Sequence, residues 1–170
     1  MTTSLQLKTT PEDHRIAWFS ALAILIHVLE SALPSPLPGI KPGLANVVTI
    51  IVLCKFGWRT AVWVSLLRVL AGSLILGTFL SPTFMLSLTG ALCSAGILVI
   101  ASQIPGRGAG PIGFSLLAAI AHLSGQFLMA WALFIPHSGL WKLFPVMLTF
   151  AIILGIFNGI ISLLVLKRLT

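Results

Sequence analysis

The sequence predicts an all-α fold, a polytopic membrane bundle of six transmembrane helices, and three features carry that expectation. Hydrophobic residues make up 58% of the 170 residues and charged residues only 8%, with a mean hydropathy of +1.10. A soluble domain carries about 25% charged residues, so this chain has roughly a third of the charge that coats a watery surface. Six apolar runs follow one another, separated by proline, glycine and polar clusters. Most basic residues fall beside alternate ends of those runs.

Residues 1–15 are polar, hold Glu12 and Asp13, and read as a cytoplasmic tail before a six-helix domain over 16–168. The first run, Ile16 to Leu33, follows Lys8 and Arg15 as a signal peptide would. Five further runs make a retained helix the simpler reading. Pro34, Pro36, Pro38 and Pro42 then exclude a helix, because proline lacks an amide donor and clashes with the preceding turn. The second run, Leu44 to Phe56, spans about 20 Å against a hydrocarbon core of roughly 30 Å. Either that run begins part-way down the membrane, or the proline segment dips in to complete the crossing. Irregular backbone at that depth survives only where it is buried in protein or lines a cavity.

Run three covers Trp58 to Leu80 with Arg68 inside it, and run four covers Phe84 to Ile104. A glycine-rich connection at 106–111 leads to run five, Ile112 to Ile135. The turn Pro136-His137-Ser138-Gly139 precedes run six, Leu143 to Leu166. With six spans, one side collects Lys8, Arg15, Lys55, Arg59, Arg107, Lys167 and Arg168, and the other only Lys41 and Lys142. The excess marks the cytoplasmic face, so both termini are expected there, in a cytoplasmic (inner) membrane.

Several function classes lose support. The net charge of +7 is spread along apolar segments without the basic stripe that follows a phosphate backbone, so no nucleic-acid partner is expected. Cys54 and Cys93 form no CxxC pair and have no ligand at metal spacing. His27, Glu30 and His122 make only a weak ligand pattern, so no metal and no cofactor is expected. The glycine-rich connection lacks the lysine of a phosphate loop. Three acids in the whole chain cannot build a carboxylate cluster for magnesium and a diphosphate.

Charges inside a span are costly and usually face the bundle interior, which singles out Glu30 and Arg68. They form either a salt bridge pinning two helices or part of a polar cavity opening outward, with Lys41 above it. The segment Pro38-Gly39-Ile40-Lys41-Pro42-Gly43-Leu44-Ala45-Asn46 opens directly into the short second helix. Such a start presents free amides and a positive dipole end, as broken helices do in transporters. Asn46 belongs to its first turn. His122 and Gln126, four residues apart, share one face of the fifth helix at the depth of Arg68. Glu30, Lys41, Asn46, Arg68, His122 and Gln126 are therefore the expected ligand-binding set. Gly155 and Gly159 form a GxxxG around Asn158, a helix-packing signal, and Ala17 and Ala21 form a small-residue patch on the first helix.

The segment from Pro36 to Asn46, Leu67-Arg68-Val69-Leu70 with Gly72-Ser73-Leu74, and Pro111-Ile112-Gly113 leading to Ala121-His122 and Gln126 resemble the Gx transporter family. Its members are often labelled heptaprenyl diphosphate synthase component I. The family is similar to the substrate-binding S components of energy-coupling factor transporters, which are six-helix membrane proteins. The resemblance implies that Ala17 and Ala21 dock a transmembrane coupling subunit that works with ATPases. It implies a protein, not an enzyme, that takes up a small anionic or amphipathic molecule from the outer side. Two alternatives remain: a quinone- or flavin-binding subunit of an electron-transfer assembly, and a membrane accessory of isoprenoid diphosphate synthesis.

Overall fold

In the computed structural model, residues 9–32, 43–104 and 109–169 are described. Helix α1 (Pro11–Ala32) starts five residues before the first apolar run. Thr10 and Asp13 are the cause: the Thr10 amide donates to Asp13 Oδ2 at 2.7 Å, and the Asp13 amide donates to Thr10 Oγ1 at 3.3 Å. This reciprocal capping box satisfies amides that the first helical turn otherwise leaves open. Apolar periodicity gives no sign of a polar first turn.

The short second run is helix α2 (Ala45–Phe56), and its position explains its length. Ala45 and Val47 through Leu53 are all buried. A helix apolar on every face belongs inside a bundle. Helices α3 (Trp58–Ile75), α4 (Pro82–Ser102), α5 (Pro111–Met129) and α6 (Phe144–Leu169) complete the set. Neighbours run α1, α3, α4, α5, α6, and α2 packs within them against α1, α3, α5 and α6. Ile50, Val52 and Val64 are among the largest fully buried side chains. The five outer helices are long and apolar enough to cross a membrane. Their exposed apolar faces, such as Trp18, Leu22, Leu25 and Leu29 on α1 and Ile153, Phe157, Ile160 and Leu164 on α6, meet lipid in place of water. The fold is an all-α multi-pass membrane bundle.

Turn chemistry sets the remaining boundaries. Gly57 joins α2 to α3 in one residue with φ +89°, a conformation that favours glycine. The apolar third run continues to Leu80, but α3 stops at Ile75 because Gly77, at φ +65°, ends it. The Gly77 amide donates to the Leu74 carbonyl and the Thr78 amide to the Ser73 carbonyl, the paired bonds of a Schellman stop. Ser81 then caps α4 by accepting the Phe84 amide. At its far end α5 widens into a π turn, Ala130–Phe134, and a 3-10 turn, Ser138–Lys142, leads into α6.

The glycine pair of α6 lies against α5. A Cβ at Gly159 would stand 2.6 Å from the Ile112 Cα, and one at Gly155 would stand 3.0 Å from the Ala119 side chain. Small residues let the two backbones close in, which is how helices gain contact where lipid supplies no hydrophobic drive.

Candidate ligand cavity

The ends of α1 and α3, the starts of α2 and α4, and the second half of α5 surround a cavity of about 510 Å³. That volume lies within the range of small-molecule sites. Glu30, Asn46, Arg68, His122 and Gln126 all line it, five of the six residues singled out from sequence. Lys41 lies outside the described residues. His27, Ser31, Ser73, Thr78, Thr83 and Ser87 add polar groups that sequence reading left out of the set. Val69, Leu76, Phe84 and Leu86 supply apolar wall.

The first turn of α2 organises the charged groups. Glu30 Oε1 accepts the Leu44 amide at 2.6 Å, and Oε2 accepts the Ala45 amide at 3.4 Å. The Asn46 amide donates to the Gly43 carbonyl and the Val47 amide to the Leu44 carbonyl. The helix start expected to offer free amides to a ligand is thus already closed, by a carboxylate from the same chain. A carboxylate suits that place because the helix dipole presents partial positive charge there. From α6, Asn158 Nδ2 donates to the Gly43 carbonyl at 3.3 Å and ties down the same turn.

Arg68 is 5% exposed, and its Nη1 donates to Asn46 Oδ1 at 2.8 Å. Glu30 and Arg68 are therefore joined through the head of α2; among the described residues no direct ion pair links them. Arg68 Nε is buried and has no hydrogen-bond partner among the described residues, and the same holds for His122 Nδ1. Buried polar atoms are normally paired, and both of these belong to residues that line the cavity.

Glycines make room for these side chains. A Cβ at Gly90 of α4 would stand 2.9 Å from His122 Nε2 and 2.8 Å from Gln126 Cγ. A Cβ at Gly72 of α3 would stand 2.8 Å from His27 Cδ2. A glycine in the interior of a helical pattern costs about 1 kcal/mol and calls for a packing or functional reason. That signal was present in the sequence at both positions. Among the described residues no three His, Cys, Asp or Glu side chains gather as a metal site would require. Ala17 and Ala21 lie on the exposed outer face of α1, away from the cavity.

No curated protein and no solved structure matches the chain. The family model described as heptaprenyl diphosphate synthase component I matches residues 19–165, a span that includes every cavity residue and Ala21 but not Ala17. With that match over most of its length, the chain belongs to the heptaprenyl diphosphate synthase component I family, the Gx transporter family that its sequence resembles.

Proposed function

We propose that this protein is a substrate-binding membrane subunit of a transporter, similar to the S component of an energy-coupling factor system. The cavity takes a small anionic or amphipathic molecule. Arg68 carries the reading: a buried guanidinium that lines the cavity and, among the described residues, is hydrogen-bonded only to neutral Asn46. Ionisable groups within a span mark substrate pathways by default. His122 and Gln126 face the same space, and the apolar walls suit a ligand with a nonpolar body.

The cavity is lined by the end of α1 and the start of α2, away from the start of α1 and the end of α6, and the basic-residue asymmetry assigns that end to the outer side. Uptake would then need partner subunits to supply energy, and the exposed Ala17 and Ala21 patch is the proposed docking surface for a coupling subunit. The word component in the family description is in keeping with a multi-subunit assembly. It also keeps a second reading open, a non-catalytic accessory of isoprenoid diphosphate synthesis. Glu30, the one acid lining the cavity, is committed to the α2 amides, which favours binding over catalysis.

Native mass spectrometry of the protein in mild detergent tests the reading. A co-purifying small molecule, retained by the wild type and lost on Arg68→Gln, is the expected result. An empty protein whose partners make prenyl diphosphates only in its presence would shift the assignment to the accessory reading.

A further inference from the structure

The start of α1, the end of α2 and the start of α3 meet around the one-residue turn at Gly57. Glu12 Oε1 of α1 accepts the Thr60 hydroxyl of α3 at 3.3 Å. The Arg15 guanidinium of α1 lies over the Phe56 ring, 5.1 Å from its centroid, and the Arg59 guanidinium lies over the Trp58 ring at 5.4 Å. Phe56 and Trp58 flank Gly57, so two stacked guanidinium groups frame one turn. Both arginines are exposed, and among the described residues neither is paired with a carboxylate. Stacking on a ring face orients a guanidinium and uses none of its N–H donors, which stay at its edge and match the oxygens of a phosphate.

The surrounding rim is positive. Lys55 Nζ donates to the Leu169 carbonyl at 3.0 Å, which brings the end of α6 to the same side. Among the described residues, Arg15, Lys55, Arg59, Lys167 and Arg168 then stand at this end against Glu12 and Asp13.

A tryptophan follows each stacked arginine by one helical turn, Trp18 after Arg15 on α1 and Trp63 after Arg59 on α3. Spacings of three and four put each pair on one helix face, with the indole about 5–6 Å deeper. Trp18 is 78% exposed and Trp63 56%, and Leu22 and Leu25 continue the exposed face of α1 inward. Indole rings favour the level just below lipid headgroups, which places the arginines at the level of the phosphates. Helices α1 and α3 pack together, so the order cation, indole, apolar surface appears twice side by side.

We propose that this rim is a site for an anionic phospholipid. Arg15 and Arg59 receive its phosphate, Trp18 and Trp63 lie beside its glycerol and ester groups, and its acyl chains follow the apolar face below. The exposed indoles favour lipid over an acidic protein, because they sit within the membrane layer that a soluble partner does not enter. The rim lies at the opposite end of α1 from the cavity, so the proposal is independent of what the cavity holds.

Native mass spectrometry of the full chain, released from nanodiscs of equal phosphatidylglycerol and phosphatidylcholine, tests it. The wild type should retain the anionic lipid over the zwitterionic one by about fivefold or more, the worth of one basic residue near an anionic surface. Replacing both arginines, Arg15→Gln with Arg59→Gln, should bring the ratio close to one. Lys167→Gln with Arg168→Gln removes the same charge from the rim and should keep the preference. Trp58→Leu, which takes the ring from under Arg59 and keeps every charge, should lower the ratio, and it serves if the double arginine variant does not fold. Equal loss in the Lys167 and Arg168 variant, or an unchanged ratio in Trp58→Leu, means diffuse charge without a site and overturns the proposal. Equal retention of the two lipids by the wild type also overturns it, and leaves the guanidinium groups to an acidic protein partner.

Discussion

The Glu30 carboxylate, on α1, accepts the Leu44 amide at 2.6 Å and closes the head of α2 inside the bundle. The first amides of a helix have no acceptor within the helix, and here a carboxylate from a neighbouring helix supplies one. Glu30→Gln keeps the shape and removes the charge, and should cost about 1–2 kcal/mol. Glu30→Leu strips both amides of their acceptor and should cost more, at about 1–3 kcal/mol for each buried amide. Thermal unfolding in detergent ranks the two variants. Equal stability of Glu30→Gln and wild type would mean that the charge does not matter at this cap.

Gly90 and Gly96 lie on the same helix and should respond in opposite directions to alanine. At Gly90 the new methyl meets His122 and Gln126 at 2.8–2.9 Å, whereas at Gly96 nothing lies within 4 Å. Gly90→Ala should displace those two side chains, weaken ligand retention and cost about 1–3 kcal/mol of stability. Gly96→Ala should be neutral or add about 0.5–1 kcal/mol through the lower helix cost of alanine. Parallel melting and ligand-retention measurements on both variants decide it.

At Gly159 the obstacle is backbone. The added Cβ would stand 2.6 Å from the Ile112 Cα, which cannot swing aside as a side-chain tip does. Gly159→Ala should separate α5 from α6 and destabilise by about 1–3 kcal/mol. Gly155→Ala meets the Ala119 methyl at 3.0 Å, the Leu116 Cα at 3.3 Å and the Ser115 carbonyl oxygen at 3.5 Å, all farther than the Ile112 Cα from Gly159, and should cost less. A reversed order of melting temperatures would remove Gly159 from the closest approach.

Ala17 and Ala21 are exposed, so leucine at both positions should leave folding of the isolated chain unchanged. The same change should block a partner helix that needs a flat, small-residue surface. Co-purification of membrane subunits with wild type but not with the double variant is the expected outcome. Retention of the same subunits by the variant would move the docking surface elsewhere.

Orientation can be read with reporters. A fluorescent protein fused after Thr170 should fold and emit, because the basic residues assign the C-terminus to the cytoplasm. A fusion that is silent there, while an alkaline phosphatase fusion at the same point is active, would invert the topology.

Composition and the spacing of apolar runs were sufficient for the bundle, because a helix satisfies its own backbone hydrogen bonds across a long, continuously apolar stretch, whereas a membrane barrel alternates apolar and polar residues. The polar residues inside those stretches were equally legible. Burying Arg68 or Glu30 is costly enough that they had to meet in a protected place, and both line the cavity. Boundaries were less legible wherever turn chemistry overrode hydropathy. Leu76 to Leu80 look helical by composition, and the left-handed glycine at 77 ends α3 before them.

What only the tertiary structure decided is who pairs with whom. The sequence pointed to Glu30 and Arg68 as either a salt bridge or a binding site, and to the α2 amides as free. In the folded bundle Glu30 takes those amides and Arg68 takes Asn46, so among the described residues no carboxylate is hydrogen-bonded to the guanidinium. The cost of a buried charge depends on its type and its depth, both readable along the chain. A hydrogen bond depends on distances of a few tenths of an ångström between different helices, which no one-dimensional pattern records.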